Sequence, residues 1–297
     1  MQVGKFTNWR TVIHSREGRE MKIHINGRPV QTNAKLIVRD SGNACFANRS
    51  TNLRYKLSST EWTHAGLNPG LNPGYFSVDS LSIRIPFNVF LYEQNARFVL
   101  TDVDGTITET DVKGHVFPMF GFTAHHEHVV ELFHKIADNG YQIVYLTARS
   151  IAQDVDTREY LFEVQSSSNF FFQNIKNWGV FFQQDLQDQN GYSLPPGPVF
   201  MSPKTFAEAL VDALSNPGPV KTSTIKAFVE LFDAKENVIK AAYGNRNSDT
   251  QAYMDAGIST NLIFLVNDKS VLRRVGDGRR TSYADHASNV NEMYPRN

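Results

Sequence analysis

Two carboxylates one residue apart, at the end of an apolar run, are the residues of this chain best suited to chemistry. Phe98 to Thr106 reads FVLTDVDGT. Phe98, Val99 and Leu100 have the character of a buried strand, and Asp102 and Asp104 then leave an extended backbone on the same side. Gly105 permits a turn where a ligand or metal must come close. In such a pair one carboxylate can attack phosphorus and hold a metal while the other moves a proton. A calcium loop also opens Asp-x-Asp, but it needs a third Asp or Asn and then a glycine where this chain has Thr106 and Ile107. A solvated turn holding two acids by chance is the plainer alternative, and residues further along weigh against it.

Those residues sit after other apolar runs. Leu146-Thr147-Ala148-Arg149 offers a hydroxyl, backbone amides and a guanidinium where a strand is expected to give way to a helix, a nest suited to phosphoryl oxygens. Ile239 to Tyr243 runs into Gly244-Asn245-Arg246-Asn247-Ser248-Asp249, where Asn245 and Asp249 supply the hard oxygen ligands that magnesium prefers. Lys226, in a helical stretch from Thr222 to Phe232, could neutralise charge between phosphate and carboxylates. Each has an ordinary alternative: a helix cap for Thr147, turn and cap residues for Asn245 and Asp249, one more exposed lysine for Lys226. Their order and their common placement at strand ends favour the joint reading.

The elements that must position them fall into two regions. Before about Arg97 short alternating runs recur (Met21 to Ile25, Ala34 to Val38, Tyr75 to Val78, Leu81 to Ile85), punctuated by Asn26-Gly27, Ser41-Gly42-Asn43 and the doubled Leu-Asn-Pro-Gly of Leu67 to Gly74. Short strands with such turns predict an all-β sandwich over residues 1–96. From Arg97 onward strands alternate with helices, which predicts a parallel sheet covered on both faces over 97–267. Glu127 to Asn139 places Val129, Leu132, Phe133 and Ile136 on one helical face with Gly140 as a stop, and Gln142 to Leu146, Pro198 to Met201 and Leu262 to Val266 read as further strands. Residues 268–297 read as a tail, with a last helix over Ser282 to Met293 docking on the body.

Composition narrows the function classes. The 297 residues carry 30 basic and 30 acidic side chains, so no global field points to nucleic acid. Cys45 is the only cysteine, which rules out a disulfide within one chain or a cysteine-based zinc site and fits a reducing compartment. No window approaches the roughly 18 uninterrupted apolar residues of a membrane span. His115, His125, His126 and His128 match no usual zinc spacing.

Taken together, Asp102-x-Asp104-x-Thr106, Thr147, Lys226 and Gly244-Asn245-x-x-x-Asp249 resemble the four motifs of the haloacid dehalogenase superfamily. Within it, DVDGTITETDVKGHVFP, NGYQIVYLTAR, LPPGPVFMSP and YGNRNSDTQAY resemble the catalytic domain of the lipin phosphatidate phosphatases, and SREGREMKIHINGRPV resembles their amino-terminal homology segment. The resemblance implies an α/β fold: a Rossmann-like haloacid dehalogenase domain with a parallel sheet, plus an N-terminal immunoglobulin-like β-sandwich. It implies that Asp102 is the nucleophile and Asp104 the general acid and then base. Magnesium would be held by Asp102, the Asp104 carbonyl and Asn245 with Asp249 close by, and phosphate by Thr147, the Ala148 amide and Lys226. The implied reaction is hydrolysis of phosphatidic acid to diacylglycerol and phosphate. The implied setting is cytoplasmic, peripherally associated with the endoplasmic reticulum or nuclear envelope, with no nucleic-acid partner. A phosphatidic acid-binding module without catalysis, or a phosphatase for soluble phosphomonoesters, are the rival functions; the presence of both aspartates favours an enzyme.

Two stretches depart from that pattern. Gln165 to Gly191 reads as an aromatic insertion in which Phe171, Ile175, Trp178 and Phe182 would share one helical stripe, either dipping into a bilayer surface or packing on the core or as a lid. Ahead of the homology only Met1 to Asn8 stands where lipins usually carry an amphipathic helix, so the anchor is expected to be reduced or to precede the chain's start. Arg273, Arg274, Arg279 and Arg280 form a basic cluster near the end, either solvated or drawn to anionic headgroups.

Overall fold

The computed structural model describes residues 18–38, 44–47, 57–78, 83–109, 125–162, 193–202, 218–233 and 238–296. By its contacts the chain divides into two units, one of Met1–Glu93, Arg149–Asp154 and Met201–Leu210, the other of Gln94–Ala148, Val155–Phe200 and Val211–Asn297.

The first unit is built on one antiparallel sheet. Its strands are β1 (Glu20–Ile25), β2 (Arg28–Pro29), β3 (Lys35–Val38), β4 (Ala44–Ala47), β5 (Gly70–Val78) and β6 (Ile83–Leu91), in the order β4-β3-β1-β5-β6 with β2 paired to β1. Alternation buries Met21, Ile23 and Ile25 on one face of β1, as the period-two pattern requires. Asn26 and Gly27 both have positive φ, 52° and 74°, and close the two-residue turn to β2. Among the described residues a second sheet facing this one, which a sandwich needs, is not present.

One turn expectation is corrected. The second Leu-Asn-Pro-Gly repeat, Leu71 to Gly74, lies inside the nine-residue β5. Pro73 is tolerated because the β1 register ends at Ile25↔Gly74, so its missing N–H falls beyond that ladder while its carbonyl accepts from Asn26 N at 2.8 Å. Gly74 has no room for a side chain, since a Cβ would stand 2.5 Å from the Phe87 ring.

The second unit carries most of a seven-stranded sheet of β7 (Phe98–Asp102), β8 (Gln142–Ser150), β9 (Val199–Ser202), β10 (Ile239–Gly244), β11 (Ile263–Val266), β12 (Val271–Arg274) and β13 (Arg280–Ser282), in the order β13-β12-β11-β10-β7-β8-β9. Its middle is parallel: β7 lies between β8 and β10, and β10 is followed by β11. Every residue of β7 is buried, which explains an apolar run without alternation. Residues 268–297 therefore do not form a simple tail. They supply the antiparallel strands β12 and β13 and two short helices, Tyr283–Ser288 and Val290–Met293.

The helix Val129–Asp138 buries Val129, Val130, Leu132, Phe133 and Ile136 and stops before Gly140, whose φ is 91°. Beyond its end the Asn139 amide donates to Tyr294 O at 2.7 Å and fastens the chain's last turn to it. Two further helices, Gly218–Val229 and Asn247–Asp255, face each other and flank the strand ends that matter below. The result is a mixed α/β architecture, parallel at the centre and antiparallel at one edge.

Candidate active site

Asp102 is the last residue of the central strand and is 4% exposed. In parallel sheets functional residues gather toward the carboxyl ends of adjacent strands, and three strands do so here: β7 ends at Asp102, β10 ends at Gly244, and β8, which runs on to Ser150, carries Thr147 one residue past the Asp102↔Leu146 pair. After Asp102 the chain turns sharply. The Val103 carbonyl accepts the N–H groups of Thr106, Ile107 and Thr108 at 2.9–3.2 Å, Gly105 N donates to Thr108 Oγ1 at 2.8 Å, and Gly105 takes φ 81°, where a side chain would be strained.

The turn brings Asp104 back over the strand ends, where its Oδ2 accepts from Thr147 Oγ1 at 3.0 Å. Thr106 Oγ1 donates to Asp102 Oδ2 at 3.2 Å. Asp249, in the first turn of the helix Asn247–Asp255, accepts the backbone N–H groups of Asn245 at 3.1 Å and Arg246 at 2.9 Å through Oδ2. Gly244 lets this acid come so close, because a Cβ there would lie 2.7 Å from Asp249 Cβ.

The lysine of the site is Lys221, not Lys226. Lys221 Nζ donates at 2.6 Å to Asp102 Oδ1 and at 2.6 Å to Asp249 Oδ1, with all three side chains buried. Lys226 is exposed, five residues on and so about 140° around the same helix. The described helix already includes Gly218, earlier than the expected Thr222, and its buried residues are Gly218, Lys221, Ile225 and Phe228. A lysine on the apolar stripe of a helix, at i, i+4 and i+7 with Ile225 and Phe228, is a signal that singles out Lys221.

Ala148 also lies in a different setting from the expected one. β8 continues to Ser150, followed by a 3-10 turn Ile151–Gln153 and the helix Asp154–Phe162, so Ala148 belongs to extended backbone and not to a strand-to-helix turn. The aromatic stripe Phe171, Ile175, Trp178 and Phe182 lies outside the described residues, as does His115.

Three carboxylates against one ammonium set the electrostatics. Burial, and then the neighbouring charges of Asp249 and Asp104, push Asp102 up to about 7 against the pull of Lys221. For Asp249 burial acts upward too, but Lys221 and the N–H groups of Arg246 and Asn245 outweigh it and hold it below the usual carboxylate range. Lys221 is raised: burial opposes its charge and the two aspartates more than offset that.

Such a site suits a divalent cation. It has an excess of negative charge, its donors are hard oxygens, and Asn245 Oδ1 is buried without a hydrogen-bond partner among the described residues, which is costly unless a ligand satisfies it. Among the described residues no three His, Cys, Asp or Glu side chains are grouped so as to hold a metal ion, so a cation here would need a further oxygen such as that of Asn245.

Comparison with known proteins identifies a family. The model of the LNS2 (Lipin/Ned1/Smp2) family matches residues 53–172 and 181–295. Nuclear elongation and deformation protein 1 of Schizosaccharomyces pombe is 31% identical over 249 residues, 81% of this chain and 34% of that protein. Phosphatidate phosphatase LPIN1 of Homo sapiens is 30% identical over 74% of this chain and 23% of its own length. Phosphatidic acid phosphohydrolase 1 of Saccharomyces cerevisiae is 30% identical over 81% of this chain and 27% of its own length. The chain thus spans about a quarter to a third of these relatives. Among solved structures, the cobalt-bound deoxy-D-mannose-octulosonate 8-phosphate phosphatase of Haemophilus influenzae aligns with a TM-score of 0.33 and 13% identity over 68% of this chain and 90% of that one, too slight a likeness to carry weight. On the strength of the sequence match along most of its length, the chain belongs to the LNS2 (Lipin/Ned1/Smp2) family.

Proposed function

We propose that the chain is a magnesium-dependent phosphatidate phosphatase that hydrolyses phosphatidic acid to diacylglycerol and phosphate through an aspartyl-phosphate on Asp102. The observation that carries this reading is one buried ammonium shared by Asp102 and Asp249, with Asp104 bonded to the Thr147 hydroxyl, in a chain whose relatives are named for this activity. The Asp102 carboxylate attacks the phosphorus, forming its P–O bond as the bond to the glycerol oxygen breaks. Asp104 gives its proton to that leaving oxygen. A water then attacks the aspartyl-phosphate, Asp104 takes the proton back, and phosphate leaves with Asp102 regenerated.

Lys221 holds the Asp102 carboxylate in line and offsets negative charge throughout, the part first given to Lys226. Thr147, bonded to Asp104 in the free protein, can turn its hydroxyl to a phosphoryl oxygen, with the Ala148 amide beside it. Magnesium, held by Asp102, Asn245, Asp249 and the Asp104 carbonyl, would supply further charge stabilisation at the phosphoryl oxygens. The substrate requires work at a membrane surface, and among the described residues no helix is long and apolar enough to cross one. The reading places the chain peripherally on the endoplasmic reticulum or nuclear envelope from the cytoplasmic side, with its N-terminal region completing an immunoglobulin-like domain.

The test is phosphate release by the purified chain from phosphatidate in mixed micelles, with magnesium and with EDTA. Asp102→Glu and Asp104→Asn serve as controls that should abolish turnover. Release that needs magnesium supports the reading. Binding of phosphatidate without release points to a binding module, and faster release from a soluble ester such as p-nitrophenyl phosphate points to a soluble substrate.

A further inference from the structure

The segment that was expected to be a tail reaches the catalytic turn. Tyr283, the first residue of the helix Tyr283–Ser288, is 1% exposed, and its hydroxyl donates to the Thr106 carbonyl at 2.7 Å. Thr106 is itself fully buried, and its side chain is the one that donates to Asp102 Oδ2. Packing alone does not call for that hydroxyl, because phenylalanine would fill the same space, and a buried hydroxyl is unfavourable unless it bonds.

The phenol is wedged in place, with ring centroids of His126 at 5.9 Å and Tyr243 at 6.1 Å. His126 belongs to the same support. Its N–H donates to Ile107 O at 2.9 Å, and its Nδ1 lies 2.8 Å from Ser270 Oγ, so the segment after Asn267 braces the turn at two points. Burial, with the Asp102 charge adding to it, raises the Tyr283 phenol well above its ordinary value, so it stays protonated and remains a donor.

We propose that Tyr283 is a positioning residue for the reaction at Asp102: its hydroxyl fixes the Thr106 carbonyl and so holds the Thr106 side chain that orients the Asp102 carboxylate. The inference rests on the phosphoryl-transfer reading of the site. Nucleophile placement matters far more to the transition state than to substrate capture, so loss of the hydroxyl should appear in kcat and not in KM.

The test uses the full chain and counts active sites by the burst of diacylglycerol, the product that leaves as the aspartyl-phosphate forms, so that loss of folded protein does not pass for loss of rate. Tyr283→Phe should lower kcat by roughly five- to tenfold, the scale of one neutral hydrogen bond, with KM for phosphatidate within about twofold. Thr106→Val should lower kcat as well, and adding Tyr283→Phe to it should lower kcat no further while still lowering the melting temperature. A structural role alone predicts a melting shift with unchanged kcat, or kcat losses that multiply, and either result overturns the proposal. If Tyr283→Phe does not fold, Thr106→Val alone decides: unchanged kcat breaks the link to Asp102. Absence of turnover in the unaltered chain refutes the reading of the site itself, whereas turnover that is indifferent to Tyr283→Phe refutes only its positioning role.

Discussion

Lys221→Met keeps the stem of the side chain and removes the charge that two buried carboxylates share. The ammonium stands 2.6 Å from Asp102 and 2.6 Å from Asp249, and all three side chains are at most 8% exposed. Without it two carboxylates face each other in a buried site with no counter-charge among the described residues. Removing one partner of a buried pair costs about 3–5 kcal/mol. At about 2–4 °C per kcal/mol for a unit of this size, the melting temperature should fall by roughly 6–20 °C. Protonation relieves the repulsion. An Asp102 raised further in the variant makes the folded state bind protons that the unfolded chain releases, so the variant loses stability as pH rises and its deficit narrows as pH falls toward about 5. Lys226→Met, on the exposed face, should stay within about 0.5 kcal/mol of the parent. Thermal denaturation of the three full-length chains, followed by circular dichroism at several pH values, compares them. Equal melting of Lys221→Met and the parent, or an equal loss in Lys226→Met, would refute the assignment of the buried lysine.

Other expectations follow from single contacts. Asn245→Ala removes an oxygen that has no hydrogen-bond partner among the described residues, so melting without metal should change by less than about 1 kcal/mol while the magnesium concentration for half-maximal activity rises at least about tenfold. Gly244→Ala should displace Asp249, whose Cβ would lie 2.7 Å from the new methyl, and cost about 1–3 kcal/mol, read as a lower denaturation midpoint. His286 is held down to about 4 from 6.5, chiefly by burial. The unfolded chain therefore binds the extra proton, and the contribution is present above about 6.5 and lost as pH falls toward about 4, amounting to about 3 kcal/mol in all. Urea titrations across that window should show the loss, and His286→Gln should flatten it.

Much of the site could be read from the sequence because its residues stand at or just past the apolar runs of buried strands. Asp102, Asp104, Thr147, Asn245 and Asp249 each follow an apolar run, and strand ends in a parallel sheet converge whatever their separation along the chain. Lys221 was less legible, since a lysine is ordinarily a surface residue and the buried stripe 218–221–225–228 emerges only once the helix is begun at Gly218. The strands β12 and β13 were hidden for a different reason. They are four and three residues long and rich in arginine, and they form because β11 offers an open ladder, which is a tertiary effect. Pro73 inside β5 likewise depends on where a neighbouring strand stops.

The central claim is a covalent bond between Asp102 and phosphorus. The direct measurement is to mix the full chain with magnesium and phosphatidate, quench in acid within one turnover, reduce the acyl phosphate with borohydride, and map the peptides by mass spectrometry. The account predicts conversion of Asp102 to homoserine, dependent on phosphatidate and lost in Asp102→Glu. Phosphate release with Asp102 left unmodified, or reduction mapping to another carboxylate, would contradict it.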